Sequence, residues 1–193
     1  MECSLSDEDL VQGTLGGEKD AFSQLYDRYR QPVFATVYRI IQSSEEAQDA
    51  TQEIFIKVYR TLCTYDSNKA RFSTWLYRIA TNHAIDCRRV HRRRLESQSA
   101  DNEESASHDA HWVESIRSPL HKLEGREEVD EVRRCVDKLP DLQKKVFILR
   151  YFQELKLVEI AKMEECSLGT IKTSLFRATR TVRRGLERFR GYD

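Results

Sequence analysis

Trp75, Arg78, Asn82, Asp86 and Arg89 recur at steps of three and four residues, the spacing that places side chains on one face of a helix. An aromatic ring, an amide and guanidinium groups together suit unpaired nucleic acid. Bases stack on the ring, and the amide bonds a base edge that a duplex would hide. Stacking contributes about 1–3 kcal/mol per base, enough to capture an unpaired base but modest against opening a duplex alone. Melted DNA on this face therefore implies a partner that helps to melt it. The same spacing fits a second reading, with Trp75 in the core and Arg78, Asn82 and Asp86 satisfying one another along the helix.

A second set, Thr170, Lys172, Thr173, Phe176, Arg177 and Arg180, lies off an apolar line formed by Leu168, Ile171, Leu175, Ala178, Val182 and Leu186. Threonine hydroxyls bond phosphate, Lys172 and Arg177 reach phosphate or guanine, and a phenyl ring touches a thymine methyl. Ser167 is the expected N-cap of this helix, and a helix N-terminus attracts a phosphate. Periodicity alone lets Phe176 equally well widen the apolar line. A third set, Asp49, Gln52, Glu53 and Ile56, is acidic and would repel DNA. It suits a basic protein surface, or is an ordinary solvated face. His83, Cys87 and His91 stand at i, i+4 and i+8, a spacing able to hold a metal. They also continue an apolar stripe, so core packing is preferred and no metal or other cofactor is expected.

Helices must position these sets. With 193 residues, 33% of them charged, and only seven Gly and three Pro, the chain suits a soluble, mostly helical protein of one domain or two small ones. Phe22, Leu25, Tyr26, Tyr29, Val33, Val37 and Ile40 predict a helix over 20–42, which Pro32 is expected to kink or divide. Ser43-Ser44 caps a second helix to about Leu62, burying Ala47, Ala50, Ile54, Val58 and Leu62. After a turn-rich loop over 64–70, a third helix over 72–94 carries the apolar line Phe72, Leu76, Ile79, His83, Cys87 and Val90. Residues 96–127 are polar, acidic and Ser-rich, and cannot bury enough surface to offset their ordering entropy, which makes a flexible linker. Beyond it, helices are expected near 128–139, after Pro140-Asp141, over 156–163 and from Ser167 onward. A short helix, a tight turn and a second helix with a basic outer face form the helix-turn-helix pattern. The expected architecture is all-α, with two small helical domains, 1–95 and 128–193, joined by the linker 96–127.

Charge divides along the same boundaries. The chain totals 32 Lys+Arg and 32 Asp+Glu, but 1–95 holds 14 against 13, 96–127 holds 3 against 8, and 128–193 holds 15 against 11. Net charges of +1, −5 and +4 put basic surfaces on either side of an acidic segment, as two places that meet a polyanion would require. Arg88, Arg89, Arg92, Arg93 and Arg94 end the third helix, where cations complement the dipole, yet five exceed what capping needs. No segment approaches the roughly 18 consecutive apolar residues of a membrane helix, and the acidic start MECSLSDEDL lacks the regions of a signal peptide. A cytoplasmic protein without membrane insertion is expected, its five cysteines reduced and, lacking a C-x-x-C pair, neither a disulfide framework nor a zinc ribbon. The absence of H-E-x-x-H, P-loop and G-x-S-x-G segments argues against an enzyme.

Taken together, these segments resemble the extracytoplasmic-function group of bacterial sigma factors over nearly the whole chain. Asp49-Ala-Thr-Gln-Glu-Ile-Phe55 is similar to that family's core-polymerase-binding segment. Phe72-Ser-Thr-Trp-Leu-Tyr-Arg-Ile-Ala80 with Asn82 resembles its promoter-melting and minus-ten segment. Leu139-Pro140, Val146-Phe-Ile-Leu-Arg-Tyr151, Glu159-Ile-Ala161 and Ser167-Leu-Gly-Thr-Ile-Lys-Thr-Ser-Leu-Phe-Arg-Ala178 resemble region four. These segments, in this order and spacing, are highly specific. The resemblance implies a sigma subunit without catalytic activity of its own, acting in transcription initiation, in a stress or envelope response. It implies that Asp49, Gln52, Glu53 and Phe55 contact the clamp helices of the largest subunit of core RNA polymerase, with the polymerase flap as a further contact. It implies that Asn82, with the 64–70 loop and beside Trp75, Arg78 and Arg89, holds a flipped minus-ten base. Lys172, Thr173, Phe176 and Arg177, with Thr170 and Arg180 beside them, would read the minus-thirty-five element. An anti-sigma factor covering the polymerase-binding faces is the group's common regulator, and its linker threads toward the polymerase active centre. The chain departs mainly at the loop DSNKARF and at Lys172-Thr173, positions tied to promoter sequence. A one-component helix-turn-helix regulator would bind duplex DNA without polymerase and leave Trp75, Asn82 and the Asp49–Phe55 face without a task.

Overall fold

A computed structural model describes residues 5–98 and 126–191. Among the described residues every regular element is helical, and the chain divides into two compact units, one for each described segment. The first contains α1 (Asp7–Leu15), α2 (Lys19–Ile41), α3 (Ser44–Thr61), a 3-10 turn (Leu62–Thr64) and α4 (Phe72–Gln98). The second contains α5 (Arg126–Asp137), α6 (Asp141–Tyr151), α7 (Leu157–Met163) and α8 (Leu168–Arg190). No helix among the described residues is long and apolar enough to cross a membrane.

Helix α1 is absent from the sequence expectation. A capping box starts it: the Ser6 side chain accepts from the Asp9 amide while the Asp9 carboxylate accepts from the Ser6 amide, so two orphan donors are satisfied reciprocally. The Ser6 hydroxyl, which also donates to the Asp9 carboxylate at 2.7 Å, and then the Ser6 amide hold the Asp9 carboxyl below the usual carboxylate range. Leu10 and Val11 are buried, and Asp7 accepts from both the Arg28 guanidinium and the Tyr29 hydroxyl of α2. Burial and this acceptor push the Tyr29 phenol far above its ordinary value.

Pro32 does not divide α2, which runs on to Ile41. It ends at Gln42, whose φ of 69° is left-handed and whose amide bonds to the Tyr38 carbonyl, a C-terminal arrangement that satisfies a last-turn acceptor. In α3 the expected line Ala47, Ala50, Ile54, Val58 and Leu62 is buried throughout, and the Ser43 side chain caps the Glu46 amide.

The stripe of α4 departs from the expected one. Phe72, Leu76, Tyr77, Ala80, Thr81, Ala84 and Ile85 are buried, whereas Ile79, His83 and Cys87 are half-buried and Val90 is exposed. Small Ala80 and Ala84 let α2 and α3 approach closely, and the Thr81 hydroxyl donates to the Tyr77 carbonyl, so a polar residue enters the core at little cost. Burial pushes the Tyr77 phenol up to about 12. Phe72 and Leu76 of the expected stripe are in this seam, while Ile79 and Cys87 lie at its edge and Val90 outside it.

In the second unit the Lys144 Nζ, fully buried, donates to Asp137 Oδ1 at 2.8 Å and ties α5 to α6. Helix α7, a turn at 164–166 and α8 form the expected helix-turn-helix. Ile171, Ala178 and Val182 of α8 are buried, with Leu175 and Leu186 half-buried beside them. Helical backbone covers 96–98 and 126–127 of the expected linker, and the rest of that stretch lies outside the described residues.

Gly185 marks a close approach of α8 to α5: a Cβ there would stand 2.1 Å from the Cys135 Sγ. A glycine in a helix interior costs up to about 1 kcal/mol relative to alanine, but a clash of this size outweighs that gain. Gly185→Ala is expected to destabilise the second unit by about 1–3 kcal/mol, as overpacking does. Cys135→Ala should relieve most of the added penalty in the double variant. Urea unfolding of the four species of this cycle measures the coupling, and additivity would contradict the contact.

Candidate nucleic-acid and protein interfaces

With its buried line set, α8 turns Thr170, Lys172, Thr173, Phe176, Arg177 and Arg180 to solvent. Phe176 is 67% exposed, which decides between the two readings of the sequence: the ring belongs to the outer face. The Ser167 side chain accepts from the Thr170 amide at 3.0 Å, and the two hydroxyls lie 2.9 Å apart. This cap leaves the helix N-terminus at the same end as the basic residues. Further along, Arg183 pairs with Glu187 at 2.8 Å and Arg190 with Glu128 at 2.7 Å. Lys172, Arg177 and Arg180 thus point outward from the first half of the helix, whereas Arg183 and Arg190 in the second are paired.

On α4, Arg78, Asp86 and Arg89 are exposed and Trp75 and Asn82 half-buried. Arg89 and Asp86 stand 3.7 Å apart. Arg92 and Arg93 are exposed and Arg88 half-buried, while the side chain of Arg94 lies outside the described residues. Trp75 joins an aromatic cluster, its ring centroid 5.6 Å from Tyr65 and 5.9 Å from Phe72, with Phe72 in turn 5.5 Å from Tyr29. Trp75 is therefore held by the core on one side and open on the other, and both readings describe a part of it. The loop reaches this cluster through Tyr65, whose phenol burial pushes up. Asp66 shapes the loop by accepting from the Asn68 amide at 3.0 Å and by pairing with Lys69 at 3.4 Å. The Asn68 amide is also the largest reason that the Asp66 carboxyl is lowered. Asn82 lies two turns beyond Trp75 on the same face, about 10 Å along the axis at 1.5 Å per residue.

On α3, Asp49, Gln52, Glu53 and Ile56 are exposed, as expected of an outer face. Phe55 is not on that face. It is only 4% exposed, packed edge-on against Tyr26 at 4.8 Å, while its neighbour Ile56 is 52% exposed. Tyr59, also exposed, stands edge-on to Phe22 at 4.9 Å. It extends the face by one turn, and the steps from Gln52 to Ile56 to Tyr59 were the signal for it.

His83 and His91 lie on the seam between α3 and α4. His83 Nε2 is 3.0 Å from Glu53 Oε2, close enough for an ion pair but not aligned for a hydrogen bond, and His91 Nδ1 is 2.8 Å from Glu46 Oε1. His91 is exposed and Cys87 half-buried, so core packing does not describe these residues. Each histidine instead faces a different glutamate. No group of three or more potential metal ligands exists among the described residues. The Cys87 thiol is pushed up by burial and by the nearby carboxylates of Glu53, Asp86 and Glu46. Cys135 is pushed up by burial and by donation to Glu131.

Comparison with known proteins follows the two units. Residues 25–94 match the family described as Sigma-70 region 2, and residues 130–182 the one described as Sigma-70, region 4. The chain is 32% identical to the ECF RNA polymerase sigma factor SigW of Bacillus subtilis over 174 residues, 88% of this chain and 91% of that protein. It is 31% identical to the RNA polymerase sigma-H factor of Pseudomonas aeruginosa over 182 residues, 94% of each chain. Its fold is similar to that of the sigma factor RpoE, solved in complex with the anti-sigma factor NepR from Bartonella quintana, with a TM-score of 0.67 at 19% identity, over 87% of this chain and 98% of that one.

A thiolate, not a thiol, is the nucleophile, so burial and charge rank the cysteines. Cys63 is exposed on the 3-10 turn, Cys166 and Cys87 are half-buried and Cys135 is buried. Among the four cysteines of the described residues, maleimide labelling at pH 7.5, followed by mass spectrometry, should modify Cys63 first and Cys135 only on unfolding. Labelling of Cys135 as fast as Cys63 would contradict the placement of α5 against α8.

Proposed function

Since the chain belongs to the extracytoplasmic-function sigma factors, we propose that it binds core RNA polymerase through α3, captures unpaired minus-ten DNA on α4 and reads the minus-thirty-five element with α8. In this reading Asp49, Gln52 and Glu53 meet a basic surface of the polymerase clamp, joined by the exposed Ile56. Phe55 acts from beneath, holding α3 against α2. Trp75 offers a stacking surface beside the loop over 64–70, Asn82 bonds the edge of a flipped base, and Arg78 and Arg89 meet the backbone. In the major groove Lys172, Thr173, Phe176 and Arg177 address base edges, while Thr170 and Arg180 address phosphates. The family supports the absence of a reaction of its own, because its members are subunits of a polymerase.

The exposure of Phe176 among Lys172, Thr173, Arg177 and Arg180, on a helix whose opposite line is buried, carries this reading. A phenyl ring set among cations matches a base edge in a phosphate-lined groove, where the ring touches a thymine methyl and the cations meet guanine or phosphate. The reading places the protein in the cytoplasm, with an anti-sigma factor as regulator, in a stress or envelope response. The similarity in fold to a sigma factor solved with its anti-sigma partner supports the choice of regulator. Pull-down of core polymerase followed by run-off transcription tests the whole. Failure to direct any promoter-specific transcript overturns it, and tight operator binding without polymerase favours a one-component regulator.

Two substitutions separate the DNA-binding faces. Arg177→Ala should weaken duplex binding by about 1–3 kcal/mol and relax preference at one base position. Equal loss on every sequence in a binding titration would reduce Arg177 to a phosphate contact. Asn82→Ala should leave binding to duplex DNA nearly intact and impair open-complex formation, read by permanganate footprinting. Unaltered opening would remove Asn82 from base capture.

A further inference from the structure

The turn that launches α8 is acidic: Glu164, Glu165 and Cys166 precede the cap Ser167. Carboxylates at this position oppose a phosphate approaching the helix N-terminus, where the backbone amides and the dipole would otherwise attract it. The structure treats the two glutamates differently. Glu165 is exposed, with a left-handed φ of 53°, whereas Glu164 turns inward. Its Oε2 accepts from the Lys145 Nζ of α6 at 2.9 Å, and the two side chains are only 10% and 14% exposed. The other carboxylate oxygen, Oε1, is buried without a hydrogen-bond partner among the described residues. Removing Lys145 would therefore leave the carboxylate buried and uncompensated, and a turn in this state opens to hydrate it.

Backbone bonds within the turn are short-range. The Glu164 amide donates to the Ile160 carbonyl, the Cys166 amide to the Ala161 carbonyl and the Glu165 amide to the Lys162 carbonyl. All return to α7, so they close the turn without relating it to α6. Lys145 supplies that relation from nineteen residues earlier in the chain. Ser167 begins α8 three residues after Glu164, so this anchor lies at the end of the recognition helix that carries Lys172, Thr173, Phe176 and Arg177.

We propose that Lys145 and Glu164 are positioning residues for the minus-thirty-five contact: their buried ion pair anchors the helix-turn-helix turn to α6 and keeps one carboxylate away from the phosphates. The proposal rests on the reading of α8 given above and concerns orientation, not contact. It predicts that loss of the pair erodes sequence discrimination more than it erodes binding.

The test uses holoenzyme reconstituted with the full chain, on a promoter that the wild-type holoenzyme selects from a random duplex library, with its minus-thirty-five element intact or scrambled. If wild type selects no sequence, the functional reading fails, whatever the pair does. If it does, the ratio of transcription from the intact over the scrambled promoter reports discrimination, measured at a temperature below the melting transition of every variant. Lys145→Met should compress that ratio at least fivefold while core-polymerase binding stays within twofold of wild type. The exchanged pair Lys145→Glu with Glu164→Lys should recover the ratio to within twofold. Glu164→Gln keeps the shape and removes the charge, and it serves if Lys145→Met does not fold; a loss of about threefold is expected. An unchanged ratio in a folded Lys145→Met or Glu164→Gln variant overturns the proposal. So does an exchanged pair that melts like wild type yet fails to recover discrimination.

Discussion

A helix that buries one line of residues has no freedom left in what the others face, and burial of such lines governs both units. In α8 the line through Ile171, Ala178 and Val182 is buried, and a rotation of 100° per residue then assigns Lys172, Thr173, Phe176 and Arg177 to solvent. In α4 the line through Phe72, Leu76, Ala80 and Ala84 turns Arg78 and Arg89 to solvent and leaves Trp75 and Asn82 half-buried at its edge. The energies show why apolar burial decides orientation. One fully buried leucine or isoleucine contributes about 1.5–3 kcal/mol, whereas an exposed ion pair such as Arg183–Glu187 contributes about 0–1 kcal/mol. Surface charges follow the rotation set by the core and do not set it.

That separation leaves charge available for other work. Arg190 and Arg183 are taken up by Glu128 and Glu187. Glu164 is held by Lys145 under the turn, while Glu46 and Glu53 lie beside His91 and His83 on the seam of α3 and α4. A total charge of zero conceals this arrangement. Cations in the first half of α8 and on the outer face of α4 stay directed to solvent, while several nearby carboxylates are drawn to partners on a neighbouring helix.

Much of this was legible in the amino-acid sequence, and the departures have physical causes. The line Ala47, Ala50, Ile54, Val58 and Leu62 was read correctly, because its apolar positions are medium-sized and strictly periodic, but Thr51 and Phe55, buried beside it, were missed. The stripe of α4 was read toward Ile79, His83 and Cys87, because large or soft side chains draw attention and the pattern undervalues Ala80, Thr81 and Ala84. Those small residues permit close helix packing, and Thr81 hides its hydroxyl on its own helix. Helix α1 is short and mostly polar, so periodicity is weak; Ser6 and Asp9 at a spacing of three were its legible sign. Phe55 and Ile56 are adjacent, and only a definite rotation of α3 says which of them the core takes. The Lys145–Glu164 pair joins residues nineteen apart on separate elements, and no local pattern announces it.

The division into two units also bears on strand opening under the proposed function. Stacking one base on Trp75 contributes about 1–3 kcal/mol, and each base-pair step of duplex DNA is worth about 1.4 kcal/mol on average. One captured base therefore compensates for one or two steps, whereas a transcription bubble needs many more. The aromatic cluster of Tyr65, Phe72 and Trp75 is rigid, anchored to Tyr29 beneath it, so it spends little entropy on ordering itself when a base arrives. Rigidity makes it suited to trapping a base that has already left the duplex. The remaining cost of melting has to be met by the polymerase, and the acidic outer face of α3, a neighbour of α4 in the same unit, delivers the trap to that source of binding energy.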